Sequence, residues 1–221
     1  MNLLAIDCVS KICSVTCMKD TKILSELFIQ KKHTKYIFYI IDNILHNLCL
    51  SFSNIDYLIF NKGPGSLLGL RISISIMQGL SLTKKLPILG ISYLHILSKR
   101  IFRYTDCIKI LIAVNFKKNL IHWAVYYKYN NITKMLKEHI CTPKKMLLLI
   151  RDISNIQIIA GDSWDKYQEL IIFKKKNTDL VYIKHIFIYP KDIVILAKNY
   201  FLNKKISNKN NFYDFNNVYI E

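Results

Sequence analysis

Residues Asn61 to Ser73 read NKGPGSLLGLRIS, and this stretch joins a short apolar segment to a long apolar run. The segment before it, Asp56 to Phe60 (DYLIF), has the length and composition of a buried strand. The run after it, Leu67 to Lys84, has the length of a helix, and Ser66 is a favourable N-cap residue. The stretch therefore predicts a strand, a tight glycine-rich turn and a helix in succession.

A glycine-rich turn before a helix can hold a phosphate on its free backbone N–H groups. A P-loop needs a lysine directly after its last glycine, but Gly69 is followed by Leu70. The dinucleotide fingerprint G-x-G-x-x-G needs a glycine where Leu68 stands. Neither motif is present, which leaves two interpretations: a generic anion site, or a tight turn that brings strand and helix into close contact.

The chain before this stretch changes its hydrophobic period once. Three apolar segments joined by short turns, Leu3 to Asp7, Lys11 to Met18 and Thr21 to Ile29, predict a β-meander. From Thr34 to Leu50, apolar residues recur with the i, i+3, i+4 spacing of an amphipathic helix. The first part of the chain therefore predicts a sheet with helices packed on it.

The rest of the chain continues this alternation of strands and helices. The predicted strands are Pro87 to Ile91, Ile108 to Val114, Leu120 to Tyr127, Ile156 to Ala160 and the extended segment Tyr182 to Ile188. The predicted helices are Ser92 to Phe102, Pro143 to Asp152 and Pro190 to Phe201. The sequence thus predicts an α/β protein with two similar domains, 1–100 and a smaller 101–221, and a mobile tail from about residue 203.

Composition sets the broad class. Of 221 residues, 52% are hydrophobic, which predicts a packed globular protein. No apolar run approaches the roughly 20 residues that span a bilayer, and the N-terminus lacks the basic region of a signal peptide, so we expect a cytoplasmic protein without membrane contact. The net charge of +17 is compatible with a basic RNA-binding module, but abundant Lys, Asn and Ile also follow from AT-rich codons.

Few residues suggest chemistry. Asp7 ends the first predicted strand, where it is either a structural turn acid or a weak candidate for a nucleotide contact. The residues after it, Cys8-Val9-Ser10, include no glycine that would allow a phosphate to approach closely. The histidines are scattered without metal-ligand spacing, and no nucleophile has an identifiable partner. We therefore predict no catalytic residue and no metal ligand.

The helix after the glycine-rich turn is apolar in nearly every direction around its axis. Such a helix is either buried on all sides in the core or presents one apolar stripe to another protein. The helix before it carries Tyr36, Phe38 and Tyr39 outside its main stripe, as an aromatic-rich protein interface would. Both helices are therefore candidates for partner binding.

Several motifs follow one another in a distinctive order. The first part of the chain has AIDCVSKICSV, His33-Thr34, GPGSLLGLRIS and LPILGISYL, and the later part has AGDSW (160–164), YPKDIVILAK (189–198) and VYI (218–220). In order and spacing these motifs resemble one family, the bacterial TsaB (YeaZ) proteins. The resemblance spans essentially the whole chain, and the glycine-rich element with its arginine is the most specific part.

The resemblance implies an actin/Hsp70/sugar-kinase-like (ribonuclease H-like) fold of two lobes with mixed sheets flanked by helices. It also implies a non-catalytic relative of TsaD, the enzyme that transfers threonylcarbamoyl from its adenylate to adenosine 37 of tRNAs that read codons beginning with adenine. TsaD and TsaE would be direct partners, tRNA an indirect one, and ATP and metal would belong to the partners. A homodimer is an expectation for the isolated chain.

In the family, the helices that match 34–50 and 67–84 carry the contact with TsaD. The resemblance therefore implies an interface at Tyr36, Ile40, Ile44, Ser73, Ile76, Met77 and Leu80. It implies a structural loop made of Gly63, Pro64, Gly65, Ser66, Gly69 and Arg71.

Departures from the family pattern weaken any nucleotide contact at the loop. Leu67-Leu68 replaces an aromatic residue and a threonine, and Ser73 and Ser75 replace glycines. TsaD-type enzymes bind a metal through His-x-x-x-His, whereas the position four residues after His33 is Ile37. An ATP-binding phosphotransferase or ATPase of the same fold stays open as an alternative.

Overall fold

The computed structural model describes residues 1–29, 33–130 and 132–204 and contains two compact units. The first lobe comprises the described residues within 1–96 and 189–204, and the second lobe comprises those within 97–188. The predicted division at residue 100 is thus close to the first boundary, but the last helix belongs to the first lobe rather than the second. Most of the predicted mobile tail lies outside the described residues.

The first lobe is built on a five-stranded sheet of order β3-β2-β1-β4-β5. The first three strands are antiparallel, as the predicted meander requires, while β4 and β5 run parallel to β1 because helices make the crossovers. The elements are β1 (Asn2–Asp7), β2 (Ile12–Lys19), β3 (Lys22–Ile29), α1 (His33–Asn47), β4 (Tyr57–Asn61), α2 (Leu67–Lys84), β5 (Ile88–Ile91) and α3 (Tyr93–Tyr104), the last of which ends in the second lobe.

The second lobe repeats this arrangement with the order β8-β7-β6-β9-β10. Again three antiparallel strands are followed by two parallel ones. The elements are β6 (Lys109–Asn115), β7 (Ile121–Tyr129), β8 (Ile132–Cys141), α4 (Pro143–Leu149), β9 (Ile158–Ala160), α5 (Gln168–Lys176) and β10 (Val181–Ile183). Strand β8 and helix α5 were not predicted, and only the first residues of the segment predicted as extended from Tyr182 form a strand.

The last helix, α6 (Pro190–Lys204), packs on the sheet of the first lobe. Its side chains Ile193, Val194 and Ala197 are fully buried, and Phe201 stacks on Tyr57 of β4 with the ring centroids 3.8 Å apart. The opposite face of that sheet carries α1 and α2. The physical reason for the revised boundary is that this apolar sheet face would otherwise face water.

The core of the first lobe lies between the sheet and the pair α1 and α2. The stripe of α1 predicted from its period is buried there, including Ile37, Ile41 and Leu45. Helix α2 has the predicted bounds. Of its two interpretations, burial on all sides does not hold, because its buried face is narrow and Leu82 is 83% exposed. No helix among the described residues is long and apolar enough to cross a membrane.

Candidate functional site

Asp7 ends β1 and is fully enclosed by the turn that follows it. Its Oδ1 accepts hydrogen bonds from the backbone N–H groups of Val9 (2.9 Å) and Ser10 (3.1 Å). The same oxygen accepts from Nδ2 of Asn61 (3.1 Å), and Oδ2 accepts from the Ser10 hydroxyl (2.6 Å). Four donors therefore converge on one carboxylate.

The burial and the hydrogen bonds of Asp7 determine its pKa and its role in the turn. Burial raises the pKa of the carboxyl above its ordinary 3.8, while the hydrogen bonds from Ser10, Asn61 and Val9 act in the opposite direction. Three of the donors occupy Oδ1 and one occupies Oδ2, and the carboxyl is buried, which leaves little access for a cation or a nucleotide-bound water. The geometry fits the structural interpretation of Asp7: it holds the β1–β2 turn and ties it to β4.

The loop between β4 and α2 is fixed to the same turn. The Asn61 side chain, which donates to Asp7, accepts a hydrogen bond from Gly63 N (3.0 Å) through its Oδ1. Ser66 N donates to the Val9 carbonyl (3.0 Å), and the Ser66 hydroxyl accepts from Gly69 N (3.1 Å) as the predicted N-cap. The loop and the turn therefore form one hydrogen-bonded unit.

Two glycines allow the loop and the turn to approach so closely. A Cβ atom on Gly65 would lie 2.5 Å from Cγ1 and 2.7 Å from the carbonyl oxygen of Val9. A Cβ on Gly69 would lie only 1.8 Å from the carbonyl oxygen of Cys8. Of the two interpretations of the glycine-rich stretch, the structure has the tight turn, with Val9 packed where a phosphate cradle would be open.

Other members of the predicted structural loop lie at its surface. Pro64 is half-buried and follows a cis peptide bond from Gly63. Arg71 is exposed in the first turns of α2. Among the described residues, no group of three or more His, Cys, Asp or Glu side chains is placed to hold a metal ion.

The structure corrects part of the predicted partner interface. Ile40, Ile44, Ser73 and Met77 are at most 4% exposed, because they lie on the stripes that α1 and α2 bury against the sheet. They cannot be surface contacts in this fold. Tyr36 is half exposed, whereas Ile76 and Leu80 are partly buried at the edge of the core.

The exposed apolar side chains of the two helices lie elsewhere. We call them the α1/α2 apolar surface: Tyr36, Phe38, Tyr39, Leu67, Leu68 and Leu82. Tyr39 and Leu68 are each 68% exposed. The period of α1 already placed its three aromatic residues outside the buried stripe. No such signal distinguished the exposed leucines of α2 from its buried residues, since the sequence of that helix is apolar nearly all round.

The fold defines the class of protein. A five-stranded sheet with three antiparallel and two parallel strands, present twice in one chain, is the topology of the actin-like, ribonuclease H-like class. The structure is similar to that of YeaZ from Pseudomonas aeruginosa, with a TM-score of 0.77 and 21% identity over 93% of this chain and 95% of that one.

Sequence comparison gives the family. A family model described as "TsaD: tRNA N6-adenosine threonylcarbamoyltransferase" matches residues 27–214. The tRNA threonylcarbamoyladenosine biosynthesis protein TsaB of Buchnera aphidicola subsp. Schizaphis graminum is 35% identical over 87% of this chain and 90% of its own length. TsaB of Escherichia coli is 28% identical over 77% of this chain and 75% of its own length. The chain belongs to the TsaB family.

Proposed function

We propose that this chain is a non-catalytic subunit that acts with TsaD and TsaE in the cytoplasm. The complex would transfer threonylcarbamoyl from threonylcarbamoyl-AMP to adenosine 37 of tRNAs that read codons beginning with adenine. Membership of the TsaB family supports the pathway, and the match to a TsaD family model supports kinship with the catalytic subunit. On this proposal the chain meets tRNA only through the complex.

The observation that carries the proposal is the α1/α2 apolar surface. Both helices pack on the same face of the first sheet, so their outer sides belong to one side of the lobe. Three aromatic rings and three leucines face water there, at exposures between 50% and 83%. Aromatic residues are enriched in protein interfaces, and exposed large apolar side chains on one side of a lobe favour association. A TsaD subunit would cover this surface, and a second copy of the chain could do so in its absence.

The turn and loop support the non-catalytic part of the proposal. Asp7 is saturated by four donors, and Val9 packs against the loop where related enzymes of this fold would need open space for phosphate. ATP and metal would then be bound by the partners rather than by this lobe. This arrangement disfavours the alternative of an ATP-binding phosphotransferase.

Substituting one exposed residue on each helix tests the interface. We expect Tyr39→Asp and Leu68→Asp each to weaken association with TsaD by about tenfold or more, since a buried charge replaces an apolar contact. Both residues are 68% exposed, so the lobe should keep its stability. The measurement is co-purification with TsaD, followed by calorimetric titration, at physiological salt.

Ile108→Asp is the matched control, because Ile108 is 62% exposed and lies in the second lobe, on neither helix. It should bind TsaD as the unchanged protein does. Equal binding by all three variants would refute the interface, and failure of the unchanged chain to bind TsaD would refute the proposed role. Charging Ile40 is unsuitable as a test, because that buried side chain is needed for folding.

A further inference from the structure

Positive charge is concentrated in one part of the second lobe. From Lys109 to Arg151 the chain has nine Lys or Arg residues and one acidic residue, Glu138, whereas the rest of the chain has 23 and 14. Codons that favour lysine act on the whole chain, so they do not account for the scarcity of acids in this segment. A local excess of positive charge is typical of a surface that binds a polyanion.

Strands β7 and β8 bring two of these lysines to one face of the second sheet. Lys134 is paired with Tyr127, and Lys137 is paired with Val125. Tyr127 and Val125 are two residues apart on β7, so both lysines lie on the face where Val125 packs in the core beneath α4 and α5. Nζ of Lys137 donates to the Leu149 carbonyl at the end of α4 (3.2 Å), and Lys134 is exposed further along the strand.

The single acid of the segment does not neutralise these lysines. Neighbouring residues of a strand point to opposite faces, so Glu138 lies on the other side of β8 from Lys137. There its Oε1 pairs with Nε2 of His122 (2.7 Å). Within residues 1–29, 33–130 and 132–204, no carboxylate forms an ion pair with Lys134 or Lys137. The charge of both lysines is therefore available to an anionic partner.

An exposed aromatic ring lies beside the lysines. Tyr129 follows Tyr127 on the same face of β7 and is 55% exposed, and Nζ of Lys134 is 4.6 Å from the centre of its ring. A flat ring next to cations suits RNA, because a base can stack on the ring while the lysines contact phosphates. An acidic protein would match the charge but would not need the ring. We call Tyr127, Tyr129, Lys134 and Lys137 the β7–β8 strip.

We propose that the β7–β8 strip binds RNA. Lys134 and Lys137 contact phosphates, and an unpaired base stacks on Tyr129. The site lies wholly in the second lobe, away from the α1/α2 apolar surface of the first. That the RNA is a tRNA rests on the proposed function: the complex would bring tRNA to the chain, and the strip would be where the chain itself contacts it.

Fluorescence anisotropy with a labelled, unmodified tRNA transcript, measured on the full chain at a series of salt concentrations, tests the proposal. Replacing both Lys134 and Lys137 by Ala should lower the slope of log affinity against log salt concentration by about 2, because each lysine that contacts a phosphate releases about one counterion. Tyr129→Ala should weaken binding by about tenfold and leave the slope unchanged, since it removes stacking but no charge.

Replacing both Lys11 and Lys22 by Ala is the matched control, because these exposed lysines lie in the first lobe and their loss changes the net charge equally. The control should leave the slope unchanged. Lys134→Ala alone keeps the hydrogen bond from Lys137 to α4 and should lower the slope by about 1, which guards against misfolding of the double variant.

Equal effects of the two double variants would overturn the proposal, because they would show that binding follows net charge rather than the strip. Absence of tRNA binding by the unchanged chain at low salt would overturn it as well. The strip variants should still co-purify with TsaD. A failure of the proposed role therefore appears in co-purification of the unchanged chain with TsaD, and a failure of the RNA site appears in the anisotropy.

Discussion

Gly69→Ala is expected to destabilise the first lobe by about 3 kcal/mol or to prevent its folding, as overpacking against rigid neighbours does. The added Cβ would lie 1.8 Å from the carbonyl oxygen and 2.6 Å from the carbonyl carbon of Cys8. Both atoms are backbone and directly follow β1, the central strand of the sheet, so they cannot move aside as a flexible side chain can. Urea unfolding monitored by circular dichroism measures the effect.

Gly79→Ala provides a control in the same helix, because its expected change in stability has the opposite sign. Gly79 is exposed, and a Cβ there would meet no atom within 4 Å. Alanine should therefore stabilise α2 by about 0.5–1 kcal/mol through its higher helix propensity. Equal effects of the two substitutions would show that helix propensity, rather than contact with the β1–β2 turn, decides the need for Gly69.

Asp7→Ala is the second substitution with a large expected effect. It leaves the N–H groups of Val9 and Ser10, the Ser10 hydroxyl and the Asn61 amide without their acceptor. Each buried donor left unsatisfied costs about 1–3 kcal/mol, and partial rearrangement should leave a net loss of about 3–5 kcal/mol at pH 7. Thermal and urea unfolding should both show it.

The pH dependence of stability gives an independent measurement at the same residue. Since the folded-state pKa of Asp7 is raised above 3.8, the folded protein holds this proton where the unfolded chain releases it. The resulting stability is complete below pH 3.8 and is lost as the pH rises through the raised pKa. Asp7→Asn cannot titrate, so this component should be absent from its pH profile. Parallel profiles for the two proteins would contradict the raised pKa.

Local sequence patterns were sufficient to predict most of the strands and helices. The bounds of α2 agree with those predicted from its apolar run and from Ser66, because helix capping is encoded within a few neighbouring residues. Strand β8 was missed because it lies at the edge of the sheet, where Met135 and Leu136 are exposed among charged residues and no apolar alternation is needed. Helix α5 was missed because it is short and ends in three lysines.

The candidate site was predictable in its parts and not in its arrangement. Asp7, the glycines and Ser66 were recognisable as turn and cap residues from the sequence. The link that Asn61 makes between the Asp7 carboxylate and Gly63 could not be recognised from the sequence, since Asp7 and Asn61 are 54 residues apart in the chain. Three of the four donors to Asp7 come from the neighbouring Val9 and Ser10, and only the fourth, the Asn61 amide, depends on that long-range contact.

The sequence by itself determined most of the strands and helices, the bounds of α2 and the resemblance to the TsaB family, because each depends on neighbouring residues or on a series of motifs. Only the tertiary structure decided which apolar side chains of α1 and α2 are buried. A helix that is apolar nearly all round gives no periodic signal, so the packing of Met77 into the core and of Leu68 toward water follows from where the sheet lies. The glycine-rich stretch NKGPGSLLGLRIS is for the same reason a packed turn: its glycines meet Val9 and Cys8 across the fold.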